Sequence, residues 1–300
     1  MSELDAMARE IEEMRVRGAG KIARHAVAAL ASWGGAFDGD RAAFEAQFAD
    51  ARDRLLATRP TAVSLRNGLA FVERRVRRAS SLKEKLDALQ HASKEFQERS
   101  VAAVAAIGRH GVPLIREGGA YLTHCNSQAA LSVFKAAHEQ GRTFRVIATE
   151  SRPWRQGHLT ARELAAAGID VTLVVDSAAQ HVMPGVDGVL LGCDTVAANG
   201  DVINKIGTST LALLAQTAGK PFHVCGETYK VDLGTPSGAE VVIEEREVTE
   251  IAEPSDFPGV KFLNPVFDVT PAARVEGLVT EVGVVAPRDV SAVARKVWEG

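Results

Sequence analysis

The chain has few cysteines and lacks the long apolar run of a membrane helix. Three widely spaced cysteines, an odd number, argue against a disulfide framework and are typical of a reducing cytoplasm. No apolar stretch approaches the roughly 20 residues that cross a bilayer. The opening segment MSELDAMAREIEEM is charged and helical in pattern, so we expect no signal peptide. We therefore expect a cytoplasmic protein without a membrane partner.

The sequence also lacks the motifs of common cofactor sites and a strong charge of either sign. It contains neither a GxGxxG fingerprint nor a Walker motif, and its cysteines do not have metal-ligand spacing. The net charge of −3 does not favour a general polyanion binder. We therefore expect no cofactor, no metal and no nucleic-acid partner.

The composition is that of a folded protein, with 46% hydrophobic and 24% charged residues. Alanine and leucine recur at helical spacing through residues 1–112, which predicts an N-terminal helical domain. The predicted helices are Glu3–Met14, Gly20–Trp33, Arg41–Ala57, Ser64–Ala79 and Ser81–Gly108.

From Gly118 onward, short β-branched runs alternate with helical patterns. The predicted strands are Ala120–His124, Arg145–Thr149, Val171–Val175, Gly188–Gly192 and Pro221–Cys225. This alternation indicates βαβ units, and hence an α/β domain over residues 113–300 with a parallel sheet covered on both faces. Ligands bind such sheets beyond the carboxyl ends of the strands, where Cys125, Glu150, Asp176, Asp194 and Glu227 all fall.

Cys125 follows a predicted strand and precedes a helix that starts near Ser127. Unpaired N–H groups at a helix start favour anions and lower the pKa of a thiol. The alternative is a buried, inert cysteine, the commoner state of a free thiol. His124 should point to the other face of the strand, where a structural role is expected.

Asp194 ends a second predicted strand, and the following Asn199-Gly200 pair predicts a hairpin that leads to Asn204 and Lys205. A lysine just before a helix is well placed for a phosphate. The alternatives are a capping carboxylate and a solvated lysine.

Three further segments carry candidate anion contacts. In the turn Arg17-Gly18-Ala19-Gly20, backbone N–H groups can form an anion nest, and Arg17 can add a bidentate contact. Arg59 stands before a helix, and Lys230 follows a strand. The alternatives are an ordinary helix–helix turn, an exposed arginine and a surface lysine.

Seven segments, taken together, resemble one family over about Met14 to Pro287. It contains ribose-1,5-bisphosphate isomerases, methylthioribose-1-phosphate isomerases and the regulatory subunits of a translation-initiation guanine-exchange factor. The segments are VRGAG (16–20), RPTAV (59–63), THCNS (123–127), VVDSA (174–178), GCDTVAANGDVINKIGT (192–208), ETYK (227–230) and NPVFDVTP (264–271). The resemblance implies a helical domain followed by a Rossmann-like domain.

The resemblance also implies an active site. Cys125 and Asp194 match the catalytic pair of the isomerases, which the regulatory subunits generally lack. The substrate contacts that it implies are Arg17, Gly18, Ala19, Gly20, Arg59, Ser127, Gln128, Ala129, Asn204, Lys205 and Lys230. Cys125-Asn126-Ser127-Gln128 looks like the bisphosphate branch, since the methylthioribose branch usually reads Cys-Asn-Thr-Gly. Cys193 departs from the more usual alanine.

The implied activity is conversion of ribose 1,5-bisphosphate to ribulose 1,5-bisphosphate, with protonated Asp194 as acid and the Cys125 thiolate as base. The expected partners are a sugar bisphosphate and further copies of the chain, as a dimer or hexamer. The implied setting is salvage of nucleotide ribose (AMP metabolism) in an archaeal-type metabolism. The alternatives are methylthioribose-1-phosphate isomerase and a non-catalytic regulatory subunit.

Overall fold

Helices make up the first part of the chain because its apolar residues recur on one helical face. A computed structural model describes residues 2–298 and divides the chain into two units, Met1–Ala103 and Val104–Gly300. The five helices are α1 (Glu3–Glu12), α2 (Ala19–Gly35), α3 (Arg41–Thr58), α4 (Val63–Arg78) and α5 (Leu82–Gly111). The unit division falls within α5, while the domain boundary at residue 112 stays a prediction.

The helical unit has its own apolar core. Ile22, Leu30, Leu55, Leu69 and Phe96 are almost fully buried there. At the end of α2, Trp33 lies against three phenylalanine rings, with ring centroids 5.5–6.1 Å apart. None of the helices among residues 2–298 is both long and apolar enough to span a membrane.

The second unit is built on a sheet of seven strands. They are β1 (Gly119–Thr123), β2 (Phe144–Thr149), β3 (Asp170–Val174), β4 (Gly188–Gly192), β7 (Phe222–Cys225), β10 (Gly277–Thr280) and β11 (Gly283–Val285), in the order β11-β10-β7-β4-β1-β2-β3. Only β11 runs antiparallel to its neighbour. The second unit also contains helices α6 (Gln128–Glu139), α7 (Gly157–Ala166), α8 (Ala179–Val182), α9 (Thr208–Thr217) and α10 (Val290–Trp298).

Alternate residues of the central strands enter two separate apolar cores. Tyr121 and Leu190 pack on one face with Phe134 of α6, whereas Leu122 and Leu191 face the other core. A strand that is buried on both faces reads as a continuous apolar run, which is why the sequence predicted these strands. The predicted fold class, a helical domain followed by a mostly parallel sheet domain, is confirmed. The edge strand β3 differs from the prediction, since Leu173 remains 43% exposed.

A smaller sheet extends the end of β4. Its strands are β5 (Thr195–Ala197), β6 (Val202–Lys205), β8 (Val231–Asp232) and β9 (Phe267–Thr270), in the order β8-β5-β6-β9. The hairpin predicted from Asn199-Gly200 joins β5 and β6, and Gly200 adopts the positive φ of 90° that this turn requires. Strands β8 to β11, which have two to four residues each, were not predicted.

Candidate active site

Cys125 lies just past the end of β1 in a left-handed backbone conformation, with φ of 65°. Its N–H donates to Ser151 Oγ at 2.7 Å, and its carbonyl accepts from Thr160 Oγ1 at 2.7 Å. Its thiol donates to Gln156 Oε1 at 3.3 Å. Non-glycine residues adopt such a backbone only where the surroundings enforce it, and this occurs most often at functional sites.

The thiol is less acidic than its position beside a helix suggests. Burial raises the pKa of Cys125 to about 11, with smaller raising effects from Asp194 and Asp176 that oppose the lowering effect of Lys205. The expectation of a lowered pKa was therefore wrong, because desolvation outweighs the helix start. Near pH 7 the thiol is protonated, and its hydrogen bond to Gln156 uses that proton.

Asp194 follows β4, and its N–H donates to Ile203 O at 3.0 Å across the start of the β5–β6 hairpin. The side chain is partly buried. Within residues 2–298, its carboxylate has neither a hydrogen-bond partner nor an ion pair. The pair predicted from the sequence is close enough for the charge of Asp194 to act on the Cys125 thiol.

Lys205 is 5% exposed at the end of β6. Its Nζ lies 4.9 Å from the ring centroid of Phe267, and no carboxylate of the described chain pairs with it. A buried ammonium without a counter-ion is costly, so it indicates a site for an anionic ligand. Asn204 is also buried, and its side-chain amide donates to Thr208 Oγ1 at 3.0 Å.

The start of α6 carries three predicted contacts. Ser127 caps the helix by accepting from Ala130 N at 3.4 Å, which agrees with the predicted helix start near this residue. Gln128 donates to Glu163 Oε2 at 3.0 Å, and Ala129 is buried. A Cβ on Gly192 would lie 2.2 Å from Ser127 Oγ, so only glycine allows β4 to approach this helix start.

Lys230 is held in a buried ion pair. Its Nζ lies 2.8 Å from Glu227 Oε2 and donates to Cys193 O at 3.0 Å. Burial opposes the charge, but Glu227 outweighs it, and the pKa of Lys230 is raised. The lysine thus supports the carbonyl that precedes Asp194, and its role as a substrate contact stays a prediction.

The remaining predicted contacts lie in the helical unit. Gly18, with φ of 91°, is the N-cap of α2, and Ala19 and Gly20 form the first turn of that helix. Arg17 Nε donates to Met14 O at 2.9 Å, and the Arg59 guanidinium contacts Met14 Sδ. Within this unit, Arg17 and Arg59 therefore both contact Met14, close to the start of α2, where the first N–H groups of the helix have no intrahelical acceptor.

Sequence reasoning missed Gln156, Ser151 and Thr160, which contact Cys125 directly. No motif marks them: Ser151 and Gln156 lie on the segment that joins β2 to α7, and Thr160 lies in the first turn of α7. Asp176 was noted only as a strand-end residue, and it accepts from the N–H groups of Ser151 and Arg152, each at 2.7 Å. No cluster of residues suited to a metal ion occurs in the part of the chain that the structure describes.

Comparisons with known proteins show which family and which relatives the chain resembles. Residues 15–287 match the model of the Initiation factor 2 subunit family. A ribose 1,5-bisphosphate isomerase of Archaeoglobus fulgidus is 45% identical over 96% of this chain and 91% of its own length. A methylthioribose-1-phosphate isomerase of Geotalea daltonii is 40% identical over 94% of this chain and 87% of its own. The crystal structure of translation initiation factor eIF-2B from Pyrococcus horikoshii matches with a TM-score of 0.83 and 29% identity, covering 97% of this chain and 99% of that one.

Proposed function

The chain belongs to the Initiation factor 2 subunit family, and within it we propose that the protein is a ribose 1,5-bisphosphate isomerase. It is an enzyme that converts ribose 1,5-bisphosphate to ribulose 1,5-bisphosphate. Five archaeal relatives named for this activity are 40–45% identical over at least 95% of this chain. The observation that carries the assignment to these residues is the convergence of Cys125, Asp194 and buried Lys205 at the strand ends.

The chemistry requires an acid and a base, because a sugar phosphorylated at carbon 1 cannot open its ring unaided. We assign Asp194 to protonate the ring oxygen as the bond to carbon 1 breaks. Cys125 removes a proton at carbon 2 and returns one to carbon 1, and Asp194 recovers its proton from the carbon 2 hydroxyl. The product therefore has the same atoms and the same number of electrons as the substrate.

The resting thiol is protonated, so the active form must differ in the position of one proton. When Asp194 carries that proton, the carboxylate charge that opposes thiolate formation is removed, while Lys205 still favours the thiolate. Moving the proton from Cys125 to Asp194 thus produces base and acid together without changing the net charge.

Phosphate binding supplies the affinity. Lys205 and Asn204 lie beside the catalytic pair, and Ser127, Gln128 and Ala129 offer the start of α6. The turn Arg17–Gly20 with Arg59 is an anion-binding site of the helical unit. We assign a substrate phosphate to Lys205, Asn204 and the start of α6, and Lys230 contributes through the carbonyl before Asp194.

The physiological setting belongs to the same proposal. We propose that the protein acts in the cytoplasm in the salvage of nucleotide ribose from AMP, in an archaeal-type metabolism, as a dimer or hexamer. Exposed apolar side chains on the second unit support self-association, among them Val242 at 79% and Leu263 at 69%.

An assay of the purified protein with ribose 1,5-bisphosphate and with methylthioribose 1-phosphate tests the assignment. We expect turnover of the bisphosphate alone, and its loss in Cys125→Ser and Asp194→Asn while both variants still bind it. Preference for the methylthioribose substrate would instead assign the neighbouring isomerase activity. Binding without turnover by the wild type would indicate a regulatory subunit.

Substrate deuterated at carbon 2 separates two chemical routes. Removal of a carbon-bound proton gives a phosphoenolate, and solvent then replaces the label. Hydride transfer from carbon 2 to carbon 1 retains the label in the product. The proposed role of Cys125 as a carbon base predicts at least partial loss of the label, because a deuteron held on the thiol either exchanges with solvent or returns to carbon 1.

A further inference from the structure

His124 is almost fully buried between two segments of the site, with 3% exposure. Its Nε2 lies 2.8 Å from the carbonyl oxygen of Ile206, which directly follows Lys205. Its Nδ1 lies 3.2 Å from Ser151 Oγ and is also hydrogen-bonded to the Thr149 hydroxyl. The ring thus contacts both the segment that holds Cys125 and the turn that follows Lys205.

The partners of the ring define its hydrogen-bonding state. A carbonyl oxygen can only accept, so Nε2 must carry a proton. Burial lowers the pKa of His124, against raising effects from Ile206 O and Asp176, and Lys205 lowers it further. The ring is therefore neutral near pH 7, and Nδ1 is an acceptor that receives a hydrogen bond from the Ser151 or Thr149 hydroxyl.

On the thiol side, Ser151 connects the ring to Cys125. The Ser151 hydroxyl oxygen accepts the Cys125 N–H at 2.7 Å, and its own proton can be donated either to Nδ1 at 3.2 Å or to Thr149 O at 3.3 Å. Both serine and cysteine have left-handed backbones, with φ of 62° and 65°. Two hydrogen-bonded non-glycine residues in this conformation require enforcement by their neighbours, and the buried ring provides it.

On the lysine side, the ring fits against a glycine. Gly207 has φ of 102°, and a Cβ there would lie 3.3 Å from the imidazole of His124. The Gly207 N–H donates to Asp268 Oδ2 at 2.8 Å, which holds the turn from its other side. The hydrogen bond from His124 to Ile206 O therefore connects the ring to the residue that directly follows Lys205.

We propose that His124 is a positioning residue that links the thiol of Cys125 to the ammonium of Lys205 through Ser151 and Ile206. The inference rests on the proposed isomerase function, in which that thiol reacts and that ammonium binds phosphate. The sequence indicated a structural role for His124 on the far face of β1. In the structure, its Nδ1 contacts Ser151 beside Cys125, and its Nε2 contacts Ile206, which follows Lys205.

Two substitutions separate the two ends of this link. The amide nitrogen of His124→Gln reaches the position of Nε2 and retains the bond to Ile206, whereas the amide oxygen of His124→Asn replaces only Nδ1. We expect His124→Gln to lower kcat about tenfold with little change in KM. We expect His124→Asn to raise KM about tenfold and to lower kcat less than His124→Gln does. Equal changes of the same parameter in both variants would overturn the proposal, because they would reveal a general packing role.

Ser151 provides a second test should the histidine variants fold poorly. Ser151→Ala and Ser151→Gly both remove the hydroxyl, and glycine suits the left-handed backbone. Each should lower kcat about tenfold at constant KM. Ser132→Ala is the matched control, because that hydroxyl donates to Ala129 O within α6. Wild-type kcat in both Ser151 variants would overturn the proposal.

Alkylation of Cys125 by iodoacetamide supplies a readout that needs no sugar substrate. Cys193 and Cys225 are buried, and Cys125→Ser gives the background rate. We expect the rate to change about fivefold or more in Ser151→Ala but not in Ser132→Ala. If the wild type does not isomerise the bisphosphate while this change occurs, the proposed function fails and the positioning of the thiol stands. An unchanged rate in Ser151→Ala overturns the positioning role.

Discussion

Two buried lysines near the strand ends show how one residue type serves two purposes. Lys230 is neutralised by Glu227 at 2.8 Å, whereas no carboxylate of the described chain pairs with Lys205. Burying an ammonium costs several kcal/mol unless a partner compensates. A protein retains an uncompensated lysine where a ligand supplies the missing negative charge, which favours Lys205 over Lys230 as the proposed phosphate contact.

Substitution of Lys205 tests this distinction. Lys205→Met keeps the stem and removes the charge, so binding of the bisphosphate should weaken by about 1.5–3 kcal/mol, or roughly ten- to hundredfold. Calorimetry in a Cys125→Ser background measures this without turnover. Lys220→Met is the control, and equal losses in the two variants would show that Lys205 acts only through the overall charge.

At the scale of elements, contacts from two sides constrain the start of α9. Gly207 is its N-cap in a left-handed conformation, and Asp268 of β9 accepts from the N–H groups of Gly207 and Ser209. A carboxylate from a neighbouring strand thus replaces the side-chain cap that glycine lacks. This arrangement leaves the backbone close enough to His124 for contact.

Gly207→Ala should disturb this junction strongly. A side chain at φ of 102° is strained by about 1–3 kcal/mol and would also contact the His124 ring. Gly219→Ala is the control, because that glycine also has a positive φ but open space around it. Thermal melts should show the larger loss of stability for Gly207→Ala, and kcat should fall in that variant alone.

Asp268 gives the junction a pH dependence. Burial raises the pKa of Asp268 from 3.8 to about 6, against the two backbone N–H groups. Because the folded-state pKa is raised, its contribution favours folding below the unfolded pKa and is lost as pH rises through about 6. The asparagine side chain does not titrate, so Asp268→Asn should not lose this stability as the pH rises.

Urea unfolding between pH 4 and pH 7 measures the difference. The stability of Asp268→Asn relative to the wild type should increase with pH over this range, by up to about 3 kcal/mol. A constant difference across the range would mean that Asp268 titrates normally in the folded protein.

At the scale of the whole molecule, a long connection of the second unit carries exposed apolar residues. Between β8 and β9 the chain forms one β-bridge, Glu245 to Pro265, and exposes Val242, Phe257, Val260 and Leu263. Apolar side chains clustered along one segment indicate a contact with another protein. The proposed occupant is a second copy of the chain.

Light scattering tests this surface. We expect the wild type to have the mass of a dimer or hexamer, and Val242→Glu with Leu263→Glu to lower that mass. Val101→Glu serves as the control, because Val101 is 60% exposed in the helical unit. A monomeric wild type, or an unchanged mass in the double variant, would contradict the assignment of this segment.

The sequence by itself determined the helices of the first unit and five of the seven strands of the large sheet. Both depend on local periodicity and on continuous apolar runs, which require no knowledge of distant neighbours. It also located Cys125 and Asp194 at strand ends, because parallel strands present their carboxyl ends along one edge, and Lys205 after a hairpin at the start of a helix. The family follows from the same short segments.

Only the tertiary structure decided the electrostatics of the site. The pKa of Cys125 is raised because burial, which depends on the packing of several elements, outweighs the local helix start. Gln156 and Ser151 form hydrogen bonds with Cys125 although they lie 31 and 26 residues away in the sequence. Glu227 forms a buried ion pair with Lys230. Such contacts cannot be read from spacing, because they arise where separate chain segments meet and where water is excluded.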